Sequence, residues 1–176
     1  ISMENNSPDI VKIKKFQKAF SNHIDTVYPI LLLRNPYNNA SSIWKIYHKL
    51  NVTSQAVKTT FIINTWKLYA TEYLNDNSIF IKILYDKFYT DNHYRNNLFK
   101  LFNIDNIDNI DFDVKYGPGT SSFKKKQERK LFWGEMKDSV YYSHPIFSSL
   151  FSHDIHELWN KIKNIHKNDS FYNSSS

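Results

Sequence analysis

Cysteine is absent from the 176-residue sequence, and glycine occurs only 3 times. The absence of cysteine excludes a disulfide scaffold, a thiol nucleophile and a zinc site with cysteine ligands. Three glycines are few for a β-sandwich or barrel, whose many tight turns need residues that tolerate positive φ. Long apolar runs are lacking too, since the longest, residues 29–33, is far shorter than the roughly 20 residues that span a bilayer.

The N-terminal residues do not have the pattern of a cleavable leader. Residues 1–15 alternate polar and apolar side chains and lack the apolar core of a signal peptide. Hydrophobic residues make up 41% of the chain, which is enough for a folded core. We therefore predict one cytoplasmic domain over residues 1–176 without a membrane span, and we expect residues 1–8 and 168–176 to be flexible.

The charge of the chain favours an anionic partner. It carries 23 basic and 17 acidic side chains, a formal net charge of +6, which suits nucleic acid, nucleotide phosphates, a sulfated glycan or an acidic membrane. Heavy use of Asn, Ile and Lys also indicates an A/T-rich genome, so part of the lysine excess is explained by codon bias. Since the chain has 12 Tyr, 13 Phe and 4 Trp, one alternative is a non-catalytic basic helical module that binds nucleic acid, or a protein partner.

Apolar spacing predicts a helix-rich α/β fold with a short parallel sheet. The runs at residues 29–33 and 79–84 predict two parallel, buried strands, the first of them buried on both faces. Turn-forming residues follow the first run at 35–39. Helical spacing is found from Asp9 onwards, from a cap at Thr53 or Ser54 to Tyr73, and at residues 40–50, 92–102, 123–138 and 153–167.

The segment after the first strand is the most informative one for function. Arg34 ends this strand and Ser42 follows eight residues later on the next helix. Open α/β sheets bind ligands at the carboxyl ends of their strands, and the helix N-terminus would present free N–H groups there. A guanidinium and a hydroxyl converging on this edge would hold one phosphate. The alternative is that Arg34 is an ordinary surface arginine and Ser42 a solvated serine.

A second strand end offers a tyrosine. Tyr85 follows the strand at residues 79–84 and would stack on an adenine or hydrogen-bond to it. The alternative is a core tyrosine whose hydroxyl reaches water. The basic run at residues 124–126 would likewise hold a phosphate or form a solvated helix face.

Four segments, in this order, resemble the sulfotransferases that use 3′-phosphoadenosine 5′-phosphosulfate (PAPS). They are the strand and turn at residues 31–36 with Ser42 and Tyr47, the helix bearing Trp66, the strand ending in Leu84-Tyr85-Asp86, and the loop at residues 116–126. The resemblance implies a nucleotide-binding transferase with a parallel sheet of the P-loop sulfotransferase type. It implies that Arg34 and Ser42 bind the 3′-phosphate of the donor. Further nucleotide contacts are implied for Tyr85 and for the closing-loop residues Ser122, Phe123 and Lys124.

The sequence departs from that family before its first strand. No segment of residues 1–28 matches the phosphosulfate loop of Lys, Ser, Gly and Thr, and residues 8–16 contain no histidine to serve as base. The chain therefore resembles the C-terminal portion of a sulfotransferase whose N-terminal half is missing, or a relative that lacks the catalytic half. The catalytic residues are unassigned. The acceptor of the sulfuryl group would be a hydroxyl or an amine.

A metal site is not expected from the 7 histidines. His153 and His156 are three residues apart on a predicted helix, which would allow shared ligation, but no third ligand is suggested by the sequence. We therefore predict PAPS as the donor cofactor and no metal.

Overall fold

A computed structural model describes Lys18, residues 28–104 and residues 141–168 of the protein. Two strands, β1 (Ile30–Leu33) and β2 (Ile81–Leu84), lie among helices that account for most of these residues. The helices are α1 (Pro36–Ile46), α2 (Val52–Leu74), α3 (Tyr85–Thr90), α4 (Asn92–Leu101), α5 (Pro145–Ser149) and α6 (His153–Asn168). The helices predicted from Asp9 and at residues 123–138 lie outside the described residues.

The two strands form a parallel pair. Ile30 is opposite Ile81 and Leu33 is opposite Leu84. The connection between the strands contains α1 and α2, a crossover of the kind that parallel strands require. The predicted parallel pairing and the helix-rich α/β class are both confirmed.

The burial of β1 differs from the prediction. Leu31 and Leu33 are 1% and 2% exposed, whereas Ile30 and Leu32 are 48% and 56% exposed. The prediction that this strand is buried on both faces is therefore wrong. Its burial alternates because successive side chains of a strand point to opposite faces, and Leu31 and Leu33 share one apolar core with side chains of α2 such as Trp66.

Two helix starts also differ from the prediction. The first helix begins at Pro36 rather than at residue 40, and Asn35 is its N-cap. Proline is well suited to the first helical position, because its fixed φ fits the helix and its missing N–H has no intrahelical partner to lose. The second helix is capped by Asn51, whose side chain accepts the Ser54 N–H at 2.8 Å, rather than by Thr53 or Ser54.

The C-terminal helix α6 completes the core. Ile155, Trp159 and Ile162 of this helix are at most 1% exposed, and the helix packs against α2. Three side-chain hydrogen bonds also hold it to the rest of the protein. Tyr73 Oη lies 2.7 Å from Nε2 of His166, Tyr37 Oη lies 2.6 Å from Nδ1 of His156, and the Lys67 ammonium donates to the Asp154 carboxylate. The last helix therefore belongs to the same packed unit as the sheet.

None of the helices that the structure describes has both the length and the apolar character needed to cross a membrane.

Candidate anion-binding site

Arg34 and Tyr85 meet at the carboxyl edge of the sheet. Arg34 directly follows β1, and Tyr85 directly follows β2 as the first residue of α3. The guanidinium carbon of Arg34 lies 5.3 Å from the centre of the Tyr85 ring, and both side chains are half-buried. This is a cation–π contact, which fixes the cation against a flat aromatic surface. The parallel pairing of the strands brings the two residues together, because their carboxyl ends lie at the same edge.

The backbone and side chain of Arg34 differ in how well they are hydrogen-bonded. Its carbonyl accepts a hydrogen bond of 2.7 Å from the indole Nε1 of Trp66 on α2. Its side-chain Nε, however, is buried and has no hydrogen-bond partner among the residues that the structure describes. A buried N–H of this kind costs free energy unless an acceptor reaches it, so an oxyanion at this edge would be stabilised.

A buried carboxylate lies behind the same edge. Asp86 is 0% exposed, and its Oδ2 accepts the backbone N–H of Asn35 at 2.6 Å. Burial raises the pKa of Asp86 from 3.8 to about 6, while the Asn35 hydrogen bond and the positive charge of Arg34 act in the opposite direction. Desolvation is the larger effect because the interior disfavours the ionised form. The buried Asp86 carboxyl is therefore harder to ionise than an exposed one.

The N-terminus of α1 is capped from within the chain. Oδ1 of Asn35 accepts the N–H groups of Tyr37 at 2.9 Å and of Asn38 at 3.3 Å, and Pro36 has no N–H. The Asn39 N–H donates to the Asn35 carbonyl at 3.0 Å. The expectation that this helix presents free N–H groups to a phosphate is therefore wrong. Of the features predicted to bind a phosphate at this edge, the Arg34 side chain is the one that keeps an unpartnered N–H among the described residues.

Ser42 lies further along α1 and is 6% exposed. Its hydroxyl donates a hydrogen bond of 2.9 Å to the carbonyl of Asn38 within the same helix. Among the described residues, no hydrogen bond joins it to Arg34 or Tyr85. A bond from this hydroxyl to a phosphate would require its hydrogen to leave the Asn38 carbonyl. The remaining predicted nucleotide contacts, Ser122, Phe123 and Lys124, lie outside the described residues.

The sequence assigned no role to three residues that build this edge, although all three lie in the segments of the resemblance: Asn35, Trp66 and Asp86. Asn35 was interpreted as part of a turn, although Asn followed by Pro is also the signature of a helix cap followed by the first helical position. Asp86 comes directly after Tyr85, just beyond the second strand. Its position near a strand end is the sequence feature that indicates a role at this edge. Trp66 has no comparable local signal, because its hydrogen bond to Arg34 joins residues that are distant in the sequence.

The two histidines considered for a metal are used differently. Nδ1 of His156 is hydrogen-bonded to the Tyr37 hydroxyl, and His153 is exposed at the start of α6. Within residues 28–104 and 141–168, no three potential metal-ligating side chains are grouped closely enough to hold an ion.

Comparison of the chain with protein-family models, curated proteins and solved structures found no match.

Proposed function

We propose that this protein is sulfotransferase-like and binds a 3′-phosphoadenosine nucleotide, with the 3′-phosphate held by Arg34. The observation that supports the proposal is the position of the Arg34 guanidinium at the carboxyl edge of two parallel strands, 5.3 Å from the ring of Tyr85. Ligands of open α/β sheets bind at this edge. The sequence resemblance favours the 3′-phosphate of PAPS as the group bound there.

The chemistry of Arg34 suits a phosphate better than other ligands of the same size. A guanidinium is planar, stays charged at every physiological pH and donates two parallel hydrogen bonds to an oxyanion. Stacking on Tyr85 restricts its orientation, so less rotational freedom is lost when the phosphate binds. A 3′-phosphate held in this way distinguishes the donor from ordinary 5′-nucleotides.

In the proposed reaction, the sulfuryl group leaves the donor phosphate and forms a bond to an acceptor hydroxyl or amine. The S–O bond to the nucleotide breaks, the leaving phosphate keeps the electron pair, and the proton of the acceptor passes to a base. Arg34 would bind the nucleotide at its 3′-phosphate and would not touch the reacting sulfur. No segment of residues 1–28 matches the family's phosphosulfate loop, and residues 8–16 contain no histidine to serve as base. We therefore expect residues 1–176 to bind the nucleotide without turning it over.

The test is calorimetric binding of 3′-phosphoadenosine 5′-phosphate and of 5′-AMP at fixed ionic strength. Arg34→Ala should weaken binding of the first nucleotide by about 2–3 kcal/mol, the loss expected for a charge-assisted hydrogen bond in a partly desolvated site. Arg34→Lys should recover only part of that loss, because an ammonium makes no bidentate contact. Binding of 5′-AMP, which lacks the 3′-phosphate, should change little in either variant.

Lys87→Ala is the matched control. This lysine is close in sequence to Tyr85 on α3, and its ammonium lies 5.1 Å from the centre of the Tyr94 ring, so the variant removes the same charge from the same region. It should leave the nucleotide affinity within about threefold, the scale of a screened surface charge. Equal losses for both nucleotides and for both charge deletions would indicate general attraction of anions, as in the nucleic-acid-binding alternative. Absence of binding by the wild-type chain would overturn the proposal.

A further inference from the structure

We propose that Asp86 is the positioning residue of the Arg34 site: it holds the junction between β1 and α1 in place and shares the charge of the guanidinium, so that an anion binds together with a proton on Asp86. This inference rests on the proposed function, because it concerns the anion that Arg34 binds. It adds a regulatory property, namely proton uptake on binding. Neither the sequence motifs nor the resemblance assigns a role to this carboxyl group.

The positioning part follows from the hydrogen bond between the two strand ends. Asp86 is the second residue of α3, just after the end of β2, and its Oδ2 accepts the backbone N–H of Asn35 at 2.6 Å. Asn35 directly follows Arg34. The Arg34 carbonyl accepts a hydrogen bond of 2.7 Å from the indole Nε1 of Trp66. The backbone around Arg34 is therefore held by Asp86 of α3 and by Trp66 of α2, and the Arg34 side chain leaves the backbone at a fixed point beside Tyr85.

Proton uptake on binding follows from the charges of Asp86 and Arg34. An ionised Asp86 and Arg34 together carry no net charge, and the Arg34 charge lowers the pKa of this buried carboxyl. An incoming oxyanion places a further negative charge next to the Arg34 guanidinium. The Asp86 carboxyl is hydrogen-bonded to the N–H of the next residue, Asn35, so this added charge disfavours its ionisation. Because burial already raises the pKa of Asp86 to about 6, a modest further rise makes Asp86 take up a proton near neutral pH.

Other titratable groups surround this region and have to be separated from Asp86. On α3, Lys87 has its ammonium against the ring of Tyr94, which belongs to α4 and whose hydroxyl accepts the Leu84 N–H at 3.1 Å. From α6, the ring of His166 lies 6.1 Å from that of Tyr94. Within the described part of the chain, Arg34 is the charged group whose charge acts on the Asp86 carboxyl. The test therefore compares variants of Asp86 itself.

The first experiment measures the affinity for 3′-phosphoadenosine 5′-phosphate between pH 5 and pH 8 in the wild type, Asp86→Asn and Asp86→Ala. An asparagine keeps an acceptor for the Asn35 N–H and removes the charge. Asp86→Asn should therefore bind about tenfold more tightly than the wild type at pH 8 and about equally at pH 5, as a pKa rise of about 1 on binding requires. Asp86→Ala, which also loses the hydrogen bond, should bind more weakly than Asp86→Asn at every pH.

The matched control is Asp154→Asn, which removes a carboxylate at the start of α6, away from the site. It should keep the wild-type pH profile. The phosphate groups of the nucleotide titrate near pH 6 as well, but they do so in every variant, so the difference between the wild type and Asp86→Asn belongs to Asp86. An Asp86→Asn variant that binds more weakly than the wild type at every pH, or with a parallel profile, would leave Asp86 a purely structural role and overturn the inference.

A second measurement needs no substitution. Carboxyl-carbon NMR of the wild type, with and without saturating inorganic sulfate, reports the pKa of Asp86 directly, and sulfate stays fully ionised over the whole range. The pKa of Asp86 should rise by about 1 with sulfate, while that of Asp154 should not move. If the nucleotide binds but sulfate leaves the pKa of Asp86 unchanged, the inference is overturned and the proposed function stands. If sulfate raises the pKa of Asp86 but the nucleotide does not bind, the proposed function is overturned and the proton uptake stands. If neither result is obtained, both proposals are wrong.

Discussion

A fully buried carboxylate such as Asp86 is costly to keep ionised, and its contacts only partly offset the cost. The interior lacks the water that would solvate the charge, and the Asn35 N–H and the Arg34 guanidinium replace only part of that solvation. The result is a pKa raised from 3.8 to about 6. A group with such a shift makes the stability of the fold depend on pH, whether or not a ligand is present.

The sign of this dependence follows from the direction of the shift. The folded state binds the Asp86 proton more tightly than the unfolded state, so the stabilisation is complete below about pH 4 and is lost as the pH rises through about 6. A rise of the pKa from 3.8 to about 6 corresponds to about 3 kcal/mol. Urea unfolding at intervals from pH 4 to pH 7 should show this loss in the wild type and a flatter profile in Asp86→Asn.

Asp154 provides the opposite case at the surface. Its hydrogen bonds to the Lys67 ammonium and the Ser152 hydroxyl lower its pKa to about 2. Any stabilisation from this group is present above about pH 4 and is lost only as the pH falls towards 2. Asp154→Asn should therefore leave the profile between pH 4 and pH 7 unchanged, and a flattened profile in this control would contradict the assignment of the effect to Asp86.

At the scale of elements, the caps of α1 and α2 offer a matched pair of asparagines. Oδ1 of Asn35 accepts two N–H groups in a site that is 1% exposed, whereas Asn51 accepts one at an exposed helix start. Asn35→Ala should cost about 2–3 kcal/mol of unfolding free energy, because it leaves buried donors without an acceptor. Asn51→Ala should cost about 1 kcal/mol, since water replaces the lost bond. Denaturant unfolding measures both, and equal losses would contradict the argument.

These elements also indicate how far the sequence could predict the fold and the site. Apolar runs predicted both strands, and parallel pairing then placed Arg34 and Tyr85 at one edge. The start of α1 could not be predicted as securely, because Asn35-Pro36 suits both a turn and a capped helix. The choice is fixed by Asp86, which lies 51 residues away in the sequence. The exposed face of β1 was missed because a run of four apolar residues does not indicate which of its faces is covered.

At the scale of the whole molecule, the core draws on distant parts of the chain. Leu31 and Leu33 from β1, Trp66 and Ala70 from α2, and residues of α5 and α6 belong to one apolar cluster. The sheet edge that carries Arg34 is thus supported by a helix that begins more than a hundred residues later. Stability at the site should then depend on side chains that never approach it.

Ile162 and Ile165 test this dependence, because both are isoleucines of α6 with opposite burial. Ile162 is 0% exposed and Ile165 is 47% exposed. Ile162→Ala should lower the unfolding free energy by about 2–5 kcal/mol, the cost of deleting a buried aliphatic side chain and leaving a cavity. Ile165→Ala should cost less than about 1 kcal/mol.

Amide hydrogen exchange locates the effect. If the core is one cooperative unit, protection at Leu33 and Leu84 should fall in Ile162→Ala by the same free energy as protection in α6. Loss of protection confined to α6 would instead mean that this helix opens on its own, and that the sheet edge does not depend on it.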